Sequence, residues 1–131
     1  MNILIDNMQW VLLVCGLLTA SLVQGIVAPK SIWRTWFGEN EPNATAVMLM
    51  RSWSTMVVIS GVFLIYAGFH PEMRLPALLV AGVGKAMFVV LILSDAKRFL
   101  KGQAVLAVIV DSLMVVIFAA YLLATQQIPT A

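Results

Sequence analysis

Polar residues interrupt this chain at three places, around 29–46, 69–76 and 95–102, and the sequence between them is almost continuously apolar. Four hydrophobic stretches result, at 8–28, 47–68, 75–94 and 103–125. Each is about the 20 residues that a helix needs to cross a ~30 Å hydrocarbon core. The connections are short, and short connections make antiparallel neighbours. The pattern therefore predicts an all-α membrane protein, an up-down four-transmembrane-helix bundle forming a single domain over residues 1–131. The N-terminal run lacks the basic flank of a cleaved signal, its first lysine (Lys30) following the apolar stretch, so it is expected to persist as helix 1.

The breaks carry their own signals. Helix 1 is expected to end at Ala28-Pro29, because proline cannot continue the ladder and disfavours helix just before itself. Residues 30–38 interleave Trp33, Trp36 and Phe37 with Lys30 and Arg34, a mixture suited to the lipid headgroup region, and predict an interfacial segment. Residues 38–43 read as a turn, and the Asn43-Ala-Thr45 sequon against helix 2 reads as accidental. Pro76 suits the first turn of helix 3. Gly16 with Ala20, Ser21 with Gly25, and Ala77 with Ala81 have the four-residue spacing that lets helices approach in lipid, either inside the bundle or on a self-association face. Trp10, Tyr66 and Tyr121 fall near one set of helix ends, as an aromatic belt would.

Composition agrees: 62% of the chain is hydrophobic and 11% charged, against about 25% charged in soluble domains. The net charge of +2 is too small an electrostatic footprint for nucleic acid. Lys30 and Arg34 occupy the first connection and Lys97, Arg98 and Lys101 the third, whereas both tails lack Lys and Arg. The positive-inside rule then places both termini outside, in a multi-pass protein of the plasma membrane. The single cysteine, Cys15, excludes an intramolecular disulfide. His70 and Glu72 alone make no metal site, and no phosphate loop, His pair or nucleophile motif is present. No metal, cofactor or catalytic residue is expected.

Two ionisable residues lie deep in apolar segments, where insertion costs roughly 2.5–3.5 kcal/mol each. Lys85 is ten positions before Asp95, and Asp111 is nine positions after Gly102. At a rise of ~1.5 Å per residue both sit about 13–15 Å from the same boundary, so helices 3 and 4 should bring them together as a buried ion pair. The pair pins the two helices, or it lines a polar cavity for a proton, ion or ligand head group; a third arrangement gives Lys85 a partner on another subunit. Arg51 lies one turn inside helix 2 at the depth of Gln24, with Thr55 four residues on, on its own face. Arg51 either snorkels to phosphate or joins Gln24, Thr55, Lys85 and Asp111 in a pocket for an anionic lipid or another small amphiphile.

The order of helix 1, Ala28-Pro29, an aromatic stretch ending in Phe37-Gly38, then Met50-Arg51-Ser-Trp53 and Gly61 resembles the DoxX-like and BphX-like assemblage of small four-helix bacterial inner-membrane proteins. The resemblance spans most of the chain and implies the fold and a bacterial inner-membrane location, with the termini periplasmic. An Arg near the start of helix 1 and a His-Gly pair at its end are missing, so no redox-associated role carries over. The expected function is a non-enzymatic accessory or assembly subunit of a larger membrane complex, with a membrane-protein partner or a second copy of itself. The alternative is a small transporter, channel or lipid/quinone-type binding protein using Lys85 and Asp111.

Overall fold

The structure, a computed structural model, describes residues 2–37, 42–100 and 102–126, which are almost entirely helical with no strand among them. Four helices are long and apolar enough to cross a membrane: Met8–Val27, Ala44–Phe69, Pro71–Ser94 and Gln103–Thr125, here spans 1 to 4. Only 22–33% of their most apolar windows is buried within the chain. The outward faces of all four carry exposed large apolar residues, such as Leu17, Ile59, Val83 and Ile109, which need lipid around them. A short helix, Asn2–Asp6, precedes span 1, and an amphipathic helix, Pro29–Phe37, follows it.

The boundaries follow local chemistry. Ala28 leaves helical geometry at φ −132°, ψ 66°, as a pre-proline residue should, and Pro29 opens the next helix. Within span 1 the Thr19 hydroxyl donates to the Cys15 carbonyl at 2.7 Å and the Ser21 hydroxyl to that of Leu18. Such back-bonding loosens the ladder, and a turn of 3₁₀ helix occupies Ser21–Val23. Span 2 starts at Ala44 rather than at 47 because the Asn43 side chain accepts from the Ala46 N–H at 2.8 Å. The sequon asparagine is thus a helix cap. Of the turn expected over 38–43, residues 38–41 lie outside the described residues.

Span 1 packs on span 2, span 2 on span 3 and span 3 on span 4, the first of these contacts being the most extensive. The first contact is backbone against backbone: a Cβ on Gly61 would lie 2.6 Å from the Ala20 nitrogen and 2.7 Å from the Gly16 oxygen. Gly16 and Ala20 therefore mark a seam inside the molecule. Spans 1 and 4 share no comparable backbone packing. They are bridged at one end by Asn2–Asp6 and at the other by the amphipathic helix, each resting on span 4.

The core is accordingly in two parts. Met8, Leu12, Leu64, Leu78, Met114 and Phe118 fill one half of the molecule. Leu22, Ile32 and Met50 form a smaller cluster at the other end, joined by Trp33, Trp36 and Trp53. In the amphipathic helix, Pro29 and Ile32 are buried, Trp33 and Trp36 are half-buried, and Lys30 and Arg34 are exposed. Trp36 meets Trp53 and Phe88 edge-on, with centroids 5.6 and 6.0 Å apart, and Trp53 stacks on Phe88 at 5.7 Å. The segment read from the sequence as interfacial thus turns its tryptophans onto the bundle and leaves its cations on the open face. Gly102, at φ +61°, crosses beneath it: a Cβ there would fall 2.7 Å from the Thr35 carbonyl oxygen.

At the opposite end Arg74 closes span 2. Its guanidinium donates to the carbonyls of Ala67 and Gly68 at 3.2 and 3.3 Å and to the Tyr121 hydroxyl at 3.3 Å. A cation at a helix C-terminus satisfies orphan carbonyls and complements the dipole. Tyr121 is therefore turned inward and buried, rather than in an outward-facing belt with the exposed Trp10 and Tyr66. Arg74→Ala should cost about 1–2 kcal/mol, and Arg74→Lys should recover only part because an ammonium lacks the fork. A thermal melt of the purified protein in detergent, followed by circular dichroism, reads both.

Candidate functional site: a polar cleft between spans 1 and 4

The two core clusters leave a gap at mid-length, and the only two charged residues deep in the spans meet there. Span 3 supplies Lys85 and span 4 supplies Asp111, with Nζ 3.1 Å from Oδ1. The match of depth counted along the sequence is realised as a direct ion pair. Lys85 is 8% exposed and the Asp111 side chain 19%, so the carboxylate is the more open partner. An ammonium has three donors and a carboxylate two acceptor oxygens, so neither is saturated by this one contact.

The open side of the pair faces a cavity of ≈ 160 Å³ between spans 1 and 4. Leu18 and Thr19 form its wall on span 1, and Leu106, Ala107 and Val110 its wall on span 4. Trp36 and Gln103 lie toward the amphipathic helix, and Met114 closes the opposite end. Leu18, Leu106 and Gln103 are exposed, so the cleft opens laterally between the two spans. Thr19 is the only buried hydroxyl on span 1, and because it donates to Cys15 its oxygen keeps acceptor capacity toward the cleft.

The larger pocket expected from the sequence does not assemble. Gln24, Arg51 and Thr55 are exposed, and the Thr55 hydroxyl is occupied by the Arg51 carbonyl at 2.8 Å. The reason is register. Span 2 turns Met50, Ser54, Gly61 and Leu64 inward, and Arg51 and Thr55 sit one residue, about 100° of helix rotation, beyond that stripe. Ser54 holds the inward place instead, fully buried against Gly25. One cation and one anion face the cleft, so the two-cation arrangement expected for an anionic head group is absent from it.

Three polar lining residues carry little signal in the sequence: Trp36 suits lipid head groups, Gln103 merely opens span 4, and Thr19 sits in a span that is apolar all round. The signal for Thr19 is its spacing from Leu12 and Cys15 by seven and four residues, which places the three on one helix face. Among the described residues no three His, Cys, Asp or Glu side chains converge as a metal site would require.

Fold and site together define a helical protein with four helices long and apolar enough to span a membrane and a polar cleft between two of them. No known protein family, curated protein or solved structure matches the chain.

Proposed function

We propose that this is a multi-pass binding protein of the bacterial inner membrane that takes a small amphiphile, of lipid or quinone type, into the cleft between spans 1 and 4. The observation that carries the reading is a buried ion pair with unsaturated hydrogen-bonding groups facing a lateral opening. A pair serving only to pin two helices needs no cleft beside it, whereas this one borders a cavity that Thr19, Trp36 and Gln103 also line. In the same proposal the spans run up and down with both termini periplasmic. The cation distribution supports that orientation, as does the meeting of the first and third connections at Thr35 and Gly102. Kinship with the DoxX-like assemblage is part of the proposal and rests on the sequence order alone.

An accessory subunit of a larger complex is the second reading. Its support is the apolar surface of the bundle, and no span is singled out for a partner, since all four expose apolar side chains alike. Extraction from native membranes in a mild polymer, followed by native mass spectrometry, separates the two. The binding reading expects a stoichiometric small molecule on the wild type that is missing from a Lys85→Met/Asp111→Leu variant. A stoichiometric larger protein, with no small molecule, would transfer the case to the accessory subunit.

A further inference from the structure

We infer that the head group accepted by the cleft is uncharged, about one six-membered ring in size, and carries a hydroxyl or carbonyl oxygen. This rests on the cleft being a binding site and specifies what it selects. Charge is the first argument. Lys85 and Asp111 sum to zero, and they still sum to zero if the proton passes from one to the other. Thr19, Trp36 and Gln103 add hydrogen-bonding groups to the lining but no charge. Arg51, which would have tipped the balance toward an anion, is on the outside of span 2. An anion or cation entering a site of zero net charge between apolar walls gives up its hydration without gaining a counter-charge.

Hydrogen-bonding capacity is the second argument. The Lys85 ammonium can donate beyond its bond to Asp111, and the second Asp111 oxygen can accept. A phenolic or alcoholic hydroxyl can accept from the one and donate to the other, and a carbonyl can accept from Lys85. A hydrocarbon ring would satisfy neither. Size is the third. An apolar cavity of about 150 Å³ holds one benzene ring, and this cleft measures ≈ 160 Å³. A ring fills it, leaving an attached chain to leave between Leu18 and Leu106 into the lipid.

The test uses the full chain in nanodiscs and three probes that share one alkyl tail: para-octylphenol, octylbenzene and para-octylbenzoate. Trp36 lines the cleft, so quenching of its fluorescence and the thermal shift are both read, and a Trp36→Phe variant identifies its share of the signal. The phenol should bind at least about tenfold tighter than either comparator, the equivalent of one good hydrogen bond to a charged partner. Its advantage should disappear in the folded Lys85→Met/Asp111→Leu variant. Tighter binding of the benzoate would overturn the uncharged class while leaving a binding cleft in place. Equal binding of phenol and octylbenzene would overturn the role of the pair in selection. If no probe quenches Trp36 or shifts the melt, and native mass spectrometry finds no small molecule, the binding reading itself fails.

Discussion

Lys85→Met should be the most damaging conservative change in the spans, lowering stability by about 3 kcal/mol, whereas adding Asp111→Leu to it should restore most of the loss. Removing one partner of a buried pair leaves the other charge desolvated and alone, typically at a cost of about 3–5 kcal/mol. The lower end applies because Asp111 retains 19% side-chain exposure toward the cleft and can draw on water there. Replacing both members by apolar side chains removes desolvation and attraction together, a change that is often neutral. Asp111→Asn should fall between, since an amide oxygen still accepts from Lys85 but no longer balances its charge. Unfolding titrations of the two single variants and the double in detergent close the thermodynamic cycle. A double variant as damaged as the sum of the singles would show that the two side chains do not stabilise one another.

Gly61→Val should rival that loss by a different route. Its Cβ would fall 2.6 Å from the nitrogen of Ala20 and 2.7 Å from the oxygen of Gly16, atoms that belong to backbone and cannot swing aside. Span 1 must then move off span 2 along the tightest contact in the molecule. Overpacking usually costs about 1–3 kcal/mol, and Val should reach the upper end because its two γ-methyls follow the Cβ into the same seam. Gly61→Ala should cost about half as much. Gly84→Ala is the internal control: a Cβ there meets nothing within 4 Å, so the change should leave the melting temperature unaltered or slightly raised.

The spans and the Lys85–Asp111 pair were legible in the sequence for one reason: both depend on distance along a helix, which the chain states directly. The direction in which a side chain points is a different quantity. In a soluble helix the polar stripe reports it, but lipid is as apolar as the interior, so a span that is hydrophobic all round hides its inward face. Depth puts Arg51 level with Gln24, and spacing puts Thr55 on the face of Arg51, but neither says which way that face turns, and a single residue of register sets both outside the cleft. Trp36 and Tyr121 failed similarly, because an amphipathic ring near a span end suits the headgroup region and the bundle interior equally well. Arg74 is the one cation of the second connection, and its reach across to Tyr121 on span 4 joins residues 47 positions apart, which no local pattern encodes.

The succession of close contacts, span 1 on 2, 2 on 3 and 3 on 4, also bears on the order of assembly. Contacts between sequence neighbours need only short loops to close, so each can form as the later span of the pair emerges. The first and last spans are the exception. They come together last, without the backbone packing that joins sequence neighbours, and are bridged by Asn2–Asp6 at one end and by the Pro29–Phe37 helix at the other. Their join is made by side chains, Met8 and Leu12 sharing one core with Met114 and Phe118, rather than by backbone in close approach. The lateral mouth of the cleft lies along that join, so the place where the bundle is finished is also the entrance that the proposed binding role requires.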